Sequence, residues 1–135
     1  SSKTARYVMG LDQYAYIDPK EGARHSNQRE EDTFYWRKHS RLHEFMLSIW
    51  MEQNPDKSRE VFNCRDLYLS EKDLLELRKA LANNFDDYTS EGGLFWGHQY
   101  QEEQVDEYAD QDLNFVQRAL DAVREGKPVV YSCWW

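Results

Sequence analysis

The sequence predicts an α+β domain: a mixed or mostly antiparallel sheet of about four strands, packed with three helices on one face. Three observations support this. Strand-like and helix-like segments alternate along the chain. Alternation ordinarily favours a parallel α/β sheet, but these strand segments are aromatic and interrupted, unlike the continuous Val/Ile runs of buried parallel strands. No segment is followed by the Gly-rich phosphate turn common in doubly wound folds.

The first strand is read over Val8 to Ile17, rich in aromatic and branched residues, and Asp18-Pro19 ends it. Residues 18–32 read as a mobile polar loop. A long amphipathic helix is expected from about Thr33, its N-cap, to about Gln53, where Asn54-Pro55 stops it. On its wheel Tyr35, Trp36, Leu42, Phe45, Met46, Leu47, Ile49 and Trp50 share one half, and His39 and His43 fall inside that half. Arg37, Ser40, Arg41, Glu44 and Ser48 take the other.

Glu60 to Leu69 reads as strand two, with Phe62, Cys64 and Tyr68 on one face. Ser70 caps a second helix with Asp73 three residues on, and Leu74, Leu77, Leu81 and Phe85 form its buried stripe. Gly93 to Tyr100 reads as strand three, and Glu102 to Ala109 as loop or frayed helix. Asp110 or Asp112 would cap helix three, in which Leu113, Val116, Leu120 and Val123 recur at helical spacing. Gly126 and Pro128 end it, and Pro128 to Trp135 forms the last strand. Tyr131 and Cys133 would point to one face and Trp134 to the other.

The 135 residues are expected to form a single domain with a core of its own. Ser1-Ser2-Lys3 reads as a leader or an extraneous remnant within residues 1–7, and Met9 can itself serve as a start. No run of 18 apolar residues and no charged-then-apolar signal pattern is present, so neither a membrane span nor secretion is expected. Localisation is expected to be cytoplasmic, with Cys64 and Cys133 reduced there. The formal charge of −8 argues against a nucleic-acid partner, because phosphate contacts need clustered Lys and Arg. Neither type occurs between Lys79 and Arg118, an interval that reads as a solvated acidic surface.

Four pieces carry a resemblance. They are Met9-Gly10-Leu11-Asp12-Gln13-Tyr14, Tyr35-Trp36-Arg37-Lys38-His39 with Leu42-His43, Phe62-Asn63-Cys64, and Tyr131-Ser132-Cys133-Trp134-Trp135. Together they resemble a family of small proteins of bacteriophages and bacteria, over most of the domain. The resemblance implies a compact domain in a phage or bacterial cytoplasm (the host cytoplasm, if phage-encoded) and brings no established reaction. Some relatives carry a kinase label. It does not transfer, because this chain has no P-loop and no Gly-rich kinase loop.

Three constellations compete for function. His39 and His43, one turn apart, could face a zinc ion completed by Cys64, His98 or Cys133, but the His-Glu-x-x-His pattern is missing, and no metal is expected. His43 and Cys64 are the candidate catalytic pair, with Arg37, Lys38 or Arg65 to favour a thiolate. Asp12, Arg37, His39, His43 and Asn63 could line a pocket for a small anion, with Arg37 as its fork. The alternative for each is a buried hydrogen-bond network fixing helix against sheet. No cofactor is expected. The expectation is a small acidic binding module whose partner is a host or phage protein. The competing reading is a small enzyme or ligand-binding protein using His39, His43, Cys64 and Arg37.

Overall fold

The computed structural model describes residues 10–19, 32–89 and 98–135, with the backbone alone for 98–100. In chain order the elements are β1 (Asp12–Ile17), β2 (Thr33–Arg37), α1 (Ser40–Gln53), a 3-10 turn (Arg59–Phe62), β3 (Asp66–Tyr68), α2 (Glu71–Ala82), a second 3-10 turn (Asp86–Tyr88), α3 (His98–Arg124) and β4 (Val129–Trp134). The four strands form one sheet in the order β2-β1-β4-β3, antiparallel at every pairing. The α+β class is therefore found, with the sheet wholly antiparallel.

The main correction falls at Thr33. The expected long helix is two elements, because Thr33-Phe-Tyr-Trp-Arg alternates and suits a pleated strand. Phe34 and Trp36 are buried, while Tyr35 and Arg37 point away. Lys38 turns the chain with φ +60°, and His39 becomes the N-cap of α1. Tyr35 thus leaves the apolar half assigned to it, and Arg41, assigned to the polar half, is buried.

The expected strand two shrinks to three residues. A 3-10 turn takes Arg59–Phe62, and Cys64 adopts φ +64°. This breaks the alternation, so Phe62 is buried while Cys64 and Tyr68 are exposed. The capping box of Ser70 with Asp73 forms as expected. Leu74 and Leu77 are buried, and Leu81 is half-buried. The chain leaves α2 through a left-handed Asn84, where the N–H of Phe85 bonds Ala80 O at 2.8 Å.

The expected strand three is not a strand over 98–100, which open α3; its remainder, 93–97, lies outside the described residues, as do the expected leader 1–7, residues 8 and 9 of the expected first strand, and 20–31 of the expected loop. Helix α3 begins well before the expected cap. Asp112 is not a cap but a mid-helix residue, 2% exposed, and Leu113 points outward at 47%. The buried stripe is Val105, Asp112, Phe115, Val116, Ala119 and Leu120. Gly126, at φ +82°, closes the helix, and the N–H of Lys127 bonds Ala122 O at 2.9 Å.

Strand alternation divides the sheet. The inner face carries Gln13, Ala15, Ile17, Phe34, Trp36, Leu67, Val129, Tyr131 and Cys133, all buried. There Phe115 of α3 meets Phe34 and Trp36 edge-on, and His43 of α1 meets Tyr131. The outer face carries Tyr14, Tyr16, Tyr35, Tyr68 and Trp134. The β2 edge is blunted by α3: Gln111 donates to Tyr35 O at 2.6 Å, and the Tyr108 hydroxyl accepts from Arg37 N at 3.0 Å.

Candidate functional site

One buried polar chain links most of the candidate residues. Gln13 sits mid-strand on the inner face, where its amide behaves as a displaced peptide group. Its Oε1 accepts from His39 N at 2.9 Å, and its Nε2 donates to His39 O at 3.0 Å. It thereby pairs the backbone at the β2–α1 corner, beyond the end of regular strand pairing. The same Nε2 donates to the Tyr131 hydroxyl at 3.2 Å, which lies 2.9 Å from His43 Nδ1. Gln13 thus donates to one side of that oxygen, and the Tyr131 hydroxyl and His43 Nδ1 share the hydrogen bond on the other.

At the other end, His39 Nε2 lies 2.8 Å from Asp112 Oδ2, and the Trp36 indole donates to Asp112 Oδ1 at 2.7 Å. His39 is stacked on Tyr108 and edged by Phe85. His43 is stacked on Phe62 and edged by Trp135. The two histidines therefore serve different neighbours and do not converge on one point. Among the described residues no group of three or more His, Cys, Asp or Glu is placed to hold a metal ion.

Burial governs the chemistry. His43 is 1% exposed, and desolvation, with a smaller push from the Arg59 charge, lowers its pKa to about 3. A neutral imidazole of that kind neither abstracts a proton near neutrality nor supplies positive charge to a thiolate. Cys64 is exposed, and its Sγ donates to Asn63 Oδ1 at 3.5 Å. Asn63 holds the chain end: its Nδ2 donates to Trp135 O, and its Oδ1 accepts from Trp135 N, both at 2.9 Å.

Asp12 and Arg37 stand opposite each other on the outer face, across the sheet from the histidines. Asp12 Oδ1 accepts from the Tyr35 hydroxyl at 2.7 Å, and this hydrogen bond leads the effects that raise Tyr35 to a pKa of about 12. The five residues proposed for an anion pocket are thus split by the sheet. His39 and His43 lie inside, Asp12 and Arg37 outside, and Asn63 against the Trp135 backbone.

Sequence reasoning missed Gln13, Asp112 and Arg41 as polar core members; Tyr131 is expected in the core, and its hydroxyl is what joins Gln13 to His43. Gln13 and Asp112 were detectable as polar residues on otherwise apolar faces. Arg41, 1% exposed, donates from Nη1 to Asn84 O at 3.0 Å and from Nε to Gln101 Oε1 at 3.3 Å. It lines a cavity of about 240 Å³ with Asn84, Asp86, Glu102, Val105 and Asp106.

The exposed aromatic side chains lie around the rim of the outer sheet face, whose central Tyr16, Val130 and Ser132 are buried. Tyr35, Tyr68 and Trp134 are 43%, 62% and 63% exposed. Tyr14 stacks with Tyr16 and tilts against Tyr35. This arrangement offers large flat side chains on rigid strands. No described helix is long and apolar enough to cross a membrane. Comparison of the chain with protein-family models, curated proteins and solved structures returns no match.

Proposed function

We propose that this chain is a binding module, acting through its outer sheet face on a protein partner in a phage or bacterial setting. One observation carries the reading: Tyr35, Tyr68 and Trp134 are held on strands with much of their surface in water. Tyrosine and tryptophan supply large contact areas at small entropic cost and dominate the centres of protein interfaces. The inner polar chain supports the same reading, because burial leaves His39 and His43 without access to a substrate. The net charge of −8 disfavours a nucleic-acid partner. The resemblance to phage and bacterial proteins supports the setting. Its motif pieces meet in space, where Gln13, His39, His43, Asn63, Tyr131 and Trp135 are neighbours.

The test is site-specific photo-crosslinking in cells that make the protein. A crosslinking residue is placed at Tyr68 or Trp134, and at Glu76 on α2 as a control. A discrete crosslinked protein from the two face positions, absent at Glu76, is expected. Equal capture at all three, or none at the face, overturns the reading.

A further inference from the structure

We propose that Cys64 and Cys133 are the two halves of a peroxide-driven disulfide that fastens the C-terminal strand to the turn preceding β3. The proposal is independent of the binding reading. The two cysteines are 69 positions apart in sequence (133 minus 64), yet the N–H of Cys64 bonds the carbonyl of Cys133 at 2.9 Å. One N–H···O=C bond of this length, just beyond the end of the β3–β4 ladder, keeps the two Cα atoms within roughly 7 Å of each other. A disulfide needs a Cα separation of about 4.4–6.8 Å. The Sγ of Cys133 lies under the same turn, donating to Phe62 O at 3.4 Å.

The two thiols differ in the way a stepwise oxidation requires. Cys64 is exposed and meets a solute oxidant first, while Cys133 is buried. Burial pushes the Cys133 thiol well up, so it does not initiate. Cys64 also sits at φ +64°, a conformation unfavourable for a side chain with a Cβ. This bend leads the chain from the 3-10 turn into β3 with the Cys64 N–H on the Cys133 carbonyl. The neighbouring contacts hold both partners in place. Asn63 clamps Trp135 on one side of the pair, and β4 is fixed in mid-sheet by β1 on the other.

The oxidant is hydrogen peroxide or an organic hydroperoxide. The Cys64 sulfur attacks one peroxide oxygen and the O–O bond breaks. Water (or the alcohol) leaves with the Cys64 proton, and Cys64 becomes a sulfenic acid. The Cys133 sulfur then attacks the Cys64 sulfur and the S–O bond breaks. Hydroxide departs with the Cys133 proton as a second water. Two thiols are oxidised by two electrons in total, and one peroxide is reduced.

The test uses the purified full-length chain, folded and at low concentration, treated with equimolar hydrogen peroxide. Peptide mapping without reductant should show the Cys64 and Cys133 peptides linked within one monomer. The intact mass should fall by two hydrogens, and Tm should rise and return on adding dithiothreitol. Cys133→Ser should instead trap Cys64 as a sulfenic acid captured by dimedone, whereas Cys64→Ser should leave Cys133 unreactive while folded. The wild-type map decides the matter even if either variant folds poorly. Cys64 oxidised to sulfinic acid, or linked between two chains, with Cys133 still a free thiol, overturns the proposal.

Discussion

His39 Nε2 and Asp112 Oδ2 face each other at 2.8 Å inside the core, joining the β2–α1 corner to the middle of α3. The second oxygen of Asp112 takes the Trp36 indole proton. One carboxylate therefore ties a strand, a turn and a helix together. No apolar residue at position 112 could do so, because both donors would be left without an acceptor where water cannot reach them.

Asp112→Ala should destabilise the domain by about 3–5 kcal/mol, the range for leaving buried polar or charged partners uncompensated. Asp112→Asn should lose less, since its carbonyl oxygen still accepts from Trp36. Urea unfolding followed by tryptophan fluorescence measures both. A loss under about 1 kcal/mol for the alanine variant would show that the contact does not hold α3 in place.

His43 sets a pH dependence of definite sign. Its folded pKa, about 3, lies below the unfolded value of 6.5. Above pH 6.5 neither state takes the proton, so this group gives no slope there. Below 6.5 the unfolded imidazole is protonated and the folded one is not. Stability therefore falls with pH, by ~1.4 kcal/mol per unit, until the folded pKa is reached. Glu44 acts oppositely: desolvation raises its pKa, against a smaller lowering by Arg59, so the folded state gains relative stability as pH falls through that window. Between pH 6.5 and 5 His43 should lead. His43→Asn, whose Oδ1 can accept from Tyr131, should flatten the profile there. An unchanged slope in the variant would show that His43 is not the source.

Tyr35 offers a second titration, readable on the outer face. Its hydroxyl donates to Asp12, and the folded pKa stands at about 12 against an ordinary 10. Because the folded value is raised, the stabilisation is present below pH 10 and is lost as pH climbs towards 12. Carbon-13 tyrosine resonances, assigned by Tyr35→Phe, should show Tyr35 ionising near pH 12. Asp12→Asn should bring it back towards 10. A Tyr35 that titrates near 10 in the wild type would mean the hydroxyl points elsewhere.

The elements read correctly from sequence were those whose signals are local. Ser70 with Asp73 caps α2, and Gly126 with Pro128 ends α3. Val129 to Trp134 forms β4 with five of its six residues buried, as expected of so apolar a segment. The errors arose where two periodicities overlap. Phe34 and Trp36 satisfy a strand of period two, yet they also continue the helical stripe of Phe45 and Ile49. The local sequence does not arbitrate; pairing with β1 does. Asp112, one of two residues expected to cap α3, lies instead in mid-helix. Its two partners, Trp36 and His39, lie more than seventy residues away. The candidate site was partly legible for a related reason. His39 and His43 stood out as polar groups on an apolar face, but Gln13 and Tyr131, which connect them, are ordinary strand residues until the sheet forms.

The chain end gives the sharpest stability prediction. Cys133 pairs with Gln13 and Trp134 with Asp12 in the β1–β4 register. Trp135 is held by both polar ends of the Asn63 side chain, and its ring meets His43 edge-on at 5.1 Å between centroids. Removing Cys133 to Trp135 therefore strips two register positions from a central strand. It also uncovers the His43 ring and removes both Trp135 partners of the Asn63 amide. The segment is held at three places: the β1 register, the Asn63 side chain and the His43 ring. The deletion should abolish cooperative unfolding, or lower Tm by more than ten degrees or so, since a loss of 1 kcal/mol moves a domain of this size by roughly 3–6 °C. Asn63→Ala, which removes only the clamp, should cost about 1–2 kcal/mol through two lost hydrogen bonds. Calorimetry compares the two. If the truncated chain kept its Tm, Trp134 and Trp135 would be acting as an exposed peptide rather than as part of the sheet.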